Sequence, residues 1–93
     1  MTVEEMFGAD NDEFLKFERI PQEQRRHRRP DLCAFLYLDE KFPSDFDMIS
    51  AAEHDEFFLD IEPEQIERLT QDDVTYLLRC GVRYSRDSLA MFA

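Results

Sequence analysis

Residues 56–62, Glu-Phe-Phe-Leu-Asp-Ile-Glu, alternate with the period of a β-strand. Successive side chains of an extended chain point to opposite faces, so Phe57, Leu59 and Ile61 share one side while Glu56, Phe58, Asp60 and Glu62 share the other. A strand with one apolar side must bury it against another layer, and Pro63, tolerated in a first helical turn, marks where this strand gives way to a helix. Ninety-three residues leave room for one such core. Residues 1–93 are therefore read as a single domain.

The neighbouring segments supply partners for that strand. "MISAAE" (48–53) reads as a second strand, joined to the first by a tight turn at His54–Asp55. "PEQIERL" (63–69) offers Ile66 and Leu69 as helix contacts. Thr70 with Asp73 approximates a capping box, Val74, Leu77 and Leu78 form a buried stripe, and Gly81 stops the helix in the left-handed conformation. "VRYS" and "SLAMFA" read as a hairpin across Arg86–Asp87. Upstream, Pro30 and Asp31 open "DLCAFLYLDEKF", whose length favours a helix over a strand. "FPSDFD" breaks it. Asn11 or Asp12 caps a short helix with Phe14, Leu15 and Phe17 on its apolar side. Residues 1–10 read as loosely held and flexible, and residues 19–30 as a basic linker or exposed helix. The fold class that follows is α+β, a small antiparallel sheet of about four strands with helices packed on one face.

Composition narrows the function. Nine phenylalanines and 43% hydrophobic residues are too many for a disordered acidic tail. No apolar run approaches the roughly 18–20 residues needed to span a bilayer, and the acidic N-terminus does not resemble a secretory signal. Cys33 and Cys80, the only cysteines, read as buried thiols in a reducing cytoplasm, with a disulfide between them left open.

The charge is segmented. Residues 39–73 hold thirteen acids against Lys41 and Arg68, so this window carries the whole net charge of −11. The rest sums to zero, and within it Arg25, Arg26, Arg28 and Arg29 form a basic cluster. Metal binding at His54-Asp55-Glu56 is disfavoured, because sequential side chains diverge whereas zinc needs three or four converging ligands. No P-loop, G-x-S-x-G or H-E-x-x-H pattern is present, and Cys80 lies at the negative end of its helix, where thiolate formation is opposed. Neither a catalytic residue, a metal nor a cofactor is expected.

Binding is the expected activity. Eleven uncompensated charges match about 19 Å of duplex at one charge per roughly 1.7 Å. Glu56, Asp60 and Glu62, continued by Glu64 and Glu67, would form an anionic row with Phe58 as an aromatic anchor. The expected partner is a basic, nucleic-acid-binding protein surface, occluded by an inhibitor or nucleic-acid mimic in the cytoplasm. No direct contact with nucleic acid or membrane is expected. By association alone, size and charge suit a bacteriophage accessory protein. Two alternatives stay open: a homodimer or complex subunit using Arg25, Arg26, Arg28 and Arg29, and a small carboxylate-dependent enzyme.

Overall fold

In a computed structural model, which describes residues 2–53 and 55–92, the alternating segment lies inside a four-stranded antiparallel sheet. Strands β1 (Ile49–Glu53), β2 (Glu56–Leu59), β3 (Arg83–Ser85) and β4 (Ser88–Phe92) are ordered β1-β2-β4-β3. The two hairpins therefore join through β2 and β4, with Phe57 opposite Met91 and Phe58 opposite Ala90. The β3–β4 turn places Arg86 and Asp87 at φ of 51° and 61°, the left-handed pair of a tight hairpin. His54 lies outside the described residues, so the turn read at His54–Asp55 is described only at Asp55.

Helices α1 (Val3–Ala9), α2 (Pro30–Lys41), α3 (Pro63–Ile66) and α4 (Gln71–Arg79) complete the α+β fold. The amphipathic pattern of α4 buries Val74, Leu77 and Leu78 in the same core as Leu59, Leu89 and Met91 of the sheet. Thr70 caps it by accepting from the Asp73 N–H at 3.2 Å, and Asp73 accepts from the Thr70 N–H at 2.8 Å. Gly81, at φ +97°, ends it as the sequence indicates.

Three segments differ from the sequence reading. In the segment read as loosely held, residues 2–10 carry a helix: Thr2 and Glu5 form a reciprocal capping box, and α1 buries Val3 and Phe7 in the core. No α-helix follows Asn11. Instead, Asn11–Glu13 and Phe17–Arg19 are short 3-10 turns, with Leu15 at φ 64° between them and its side chain largely in solvent. In the segment read as a basic linker or exposed helix, Ile20 is buried and Gln22–Gln24 makes a 3-10 turn. Among the described residues no helix is long and apolar enough to cross a membrane.

A candidate acidic interface

The predicted inward side of β2 is inward. Leu59 and Ile61 are buried, and Phe57 packs edge-on to Phe35 of α2 with ring centres 6.2 Å apart. The predicted outward side is a different matter. Phe58 is only 9% exposed, so it is no free-standing anchor. The register explains this: Arg83, Ala90, Phe58 and Ala51 form one cross-strand row, and Phe92, Glu56 and Glu53 form the next. Arg83 reaches from the first row to the second, pairing with Glu56 while its guanidinium lies 4.5 Å from the Phe92 ring centre. Phe58 therefore sits between two alanines in its row and is buried there, and Glu56 is neutralised by the chain's own arginine.

The remaining predicted acids leave the sheet. β2 ends at Leu59, and the Asp60 N–H donates to the Met48 carbonyl at 2.6 Å, which turns the chain toward α3. Asp60 is half-buried, whereas Glu62, Glu64 and Glu67 are exposed around α3. Gln65 Oε1 accepts from the Glu62 N–H at 3.0 Å and holds the helix entry. The single row of six is thus two groups, Glu56 with Phe58 in the sheet and Asp60 to Glu67 around the α3 corner.

The aromatic amid acids lies elsewhere. Phe46 is 81% exposed, more than any other large apolar side chain of the described residues, and it stands between exposed Asp45 and Asp47 in the loop after α2. A small depression beside it is lined by Asp39, Phe46, Asp47, Met48, Asp60 and Ile61, among others. Three carboxylates from three segments thus share one depression with a solvent-facing ring. "SDFD" carried this signal, but Pro43 and the polar residues around it mark a chain break, and a breaker reading hides an anchor.

The basic cluster is partly committed within the molecule. Arg25 donates from Nε to the Ile20 carbonyl at 2.9 Å and lies over the Phe17 ring. Arg26 bridges to Glu40 at 2.7 Å and lies over Tyr37 and Tyr76, whose rings stack 4.1 Å apart. The Tyr76 hydroxyl donates to the Gln24 carbonyl at 2.9 Å and accepts from the Arg26 N–H at 3.3 Å. Burial, followed by its contact with Cys33, pushes the Tyr76 phenol up to about 12, so it stays a neutral fastening group. Arg28 and Arg29 have no carboxylate within 4.0 Å among the described residues.

Ile20, Gln24, Arg26, Tyr37 and Tyr76 line a cleft of about 500 Å³ with Asp72, Thr75 and Arg79 of α4. Several of its polar groups are already engaged: Tyr37 donates to Asp73, which Lys41 bridges at 2.9 Å, and Arg79 bridges Glu13 at 3.0 Å. Burial and the hydrogen bond to Asp73 push the Tyr37 phenol above its ordinary value, which removes it as a base. Among the described residues no three His, Cys, Asp or Glu side chains group so as to hold a metal ion.

Within residues 39–73, only Glu40, Glu53, Glu56 and Asp73 have a cation within 4.0 Å among the described residues, leaving nine of the thirteen acids without one. No protein-family model, curated protein or solved structure matches the chain.

Proposed function

We propose that this protein is a cytoplasmic, non-catalytic interaction protein that occludes a basic protein surface, as an inhibitor or nucleic-acid mimic. The observation carrying this reading is Phe46, an exposed aromatic that shares a small depression with Asp39, Asp47 and Asp60, and among the described residues no arginine lies over its ring. An aromatic inserted into a partner supplies contact area, and the surrounding carboxylates select a cationic target and speed encounter. Glu62, Glu64 and Glu67 extend the negative field along α3. Glu56 and Phe58, being paired and buried, support the sheet and do not meet the partner.

Capture of partners from lysate at rising salt tests this. Bound basic proteins should fall off steeply with ionic strength. Asp47→Lys with Asp60→Lys should abolish capture, Phe46→Ala should weaken it about tenfold or more, and a captured protein should lose its grip on duplex DNA when the wild-type chain is added. Capture that survives both the salt and the double reversal refutes the reading.

A further inference from the structure

The helical layer stops one strand short of the sheet's edge. Ile49 and Ala52 of β1 pair with Leu59 and Phe57, so they stand on the inward face of the sheet. Yet all five residues of β1 are exposed, and Ile49 keeps 45% of its surface in solvent. The helix beside it is α2, where Phe35 meets Phe57. Cys33 and Tyr37 of α2 turn instead to Tyr76 of α4. Leu32 and Leu36, one turn apart, continue round the helix from Phe35 into solvent, at 37% and 42% exposure.

The two edges of the sheet also differ. Strand β3 has α1 packed on it through Phe7 and Tyr84. Strand β1 has no strand beyond it and so presents a row of backbone N–H and C=O groups. Natural edges are commonly blocked by lysine or proline, but Ile49-Ser50-Ala51-Ala52 carries neither, and Glu53 is the strand's one charge. Its one irregularity is a register shift between Ile49 and Ala51.

We propose that β1 is a self-association edge, pairing antiparallel with β1 of a second copy about a two-fold axis to make one eight-stranded sheet. Such an interface is self-complementary, so the association closes at two. The contact of Phe35 with Phe57 sets α2 over β2. Three strand spacings separate β2 from its copy by about 14 Å, room for two helices about 10–12 Å across to stand side by side. Leu32, Leu36 and Ile49 of each copy then meet over the seam. A lone peptide strand would satisfy the edge but leave those side chains in water, which favours a second copy as the occupant. The area suffices: one side of a body measuring 29 × 29 × 26 Å holds about a sixth of its 5942 Å² surface, about 990 Å², against the roughly 800 Å² per partner of a standard interface. The dimer uses neither Phe46 nor the arginine arm.

Sedimentation equilibrium of the whole chain, from micromolar to near-millimolar and at low and high sodium chloride, tests the pairing. The mass should rise from one chain to two and no further, with tighter association at high salt because each copy carries −11 and Glu53 lies in the seam. Hydrogen exchange at the amides of residues 51–53 should slow as the dimer forms. At high salt, Ala52→Lys on the strand edge and Leu36→Lys on the helix flank should each weaken association about tenfold or more. Both positions are exposed, so the Tm of the dilute monomer should stay unchanged. Replacing Arg28 and Arg29 by Gln should leave the association as it is. A chain that stays monomeric at the highest concentration in high salt, growth beyond two, exchange at 51–53 indifferent to association, association that survives both lysine variants, or association lost with the arginines each overturns the pairing.

Discussion

Asp73 shows how one side chain can serve several elements. It closes the capping box of α4, accepts from Tyr37 of α2 and bridges Lys41 at the end of α2. Its burial alone would raise the carboxyl, but hydrogen bonds from the Thr70 N–H, Tyr37, Lys41 and the Thr70 hydroxyl outweigh it and hold Asp73 below the ordinary 3.8. A depressed folded value means the stabilisation is complete above the ordinary value and disappears as pH falls through the folded one. Urea midpoints measured downward from about pH 5 should therefore drop most steeply below about pH 4. Asp73→Asn, which keeps an acceptor but not the charge, should start less stable at pH 7 and follow a flatter curve. A wild-type midpoint independent of acid over that range would mean that these contacts do not favour the ionised form.

At the scale of elements, legibility followed the strength of the local signal. The strand read at 56–62, the helix at Thr70 and its stop at Gly81 each combine periodicity with a cap or breaker, and each starts or stops where the sequence puts it, except that the strand ends early, at Leu59. α1 escaped because its apolar side is two residues, Val3 and Phe7, one turn apart among acids. Its cap, Thr2-x-x-Glu5, was legible and is the signal that finds it. Residues 11–24 have no helical period because their turns are 3-10, where each turn is too short to express one. Phe58 was misplaced for another reason: alternation assigns a residue to a face but does not say what else roofs that face. The dependence of the fold on α1 is measurable. Phe7 is buried and meets Tyr84 of β3 with ring centres 6.1 Å apart, so Phe7→Ala should cost about 3 kcal/mol in urea unfolding. A change below about 0.5 kcal/mol, the range of ordinary surface substitutions, would detach α1 from the core.

The whole molecule carries a net charge of −11 within extents of 29 × 29 × 26 Å. Two opposing effects of salt follow from that. Screening weakens the ion pairs, but exposed pairs such as Arg26–Glu40 and Arg86–Glu53 contribute little to stability. Screening also relieves repulsion among the nine acids of residues 39–73 that lack a cation nearby, and the Debye length of about 10 Å at 0.1 M is shorter than the molecule. Repulsion should dominate. The Tm should therefore rise by several degrees as sodium chloride is raised from millimolar to about 0.3 M, most of the gain coming at the low end where the screening length changes fastest. A neutral osmolyte at matched osmolality separates this from a general exclusion effect, since it should not reproduce the early rise. Under the proposed function the same field would draw a cationic partner toward Phe46, so the two measurements share one source. A Tm that falls with salt would show that internal pairing, not repulsion, governs this surface, and attraction for a basic target would then have to arise without the unpaired carboxylates.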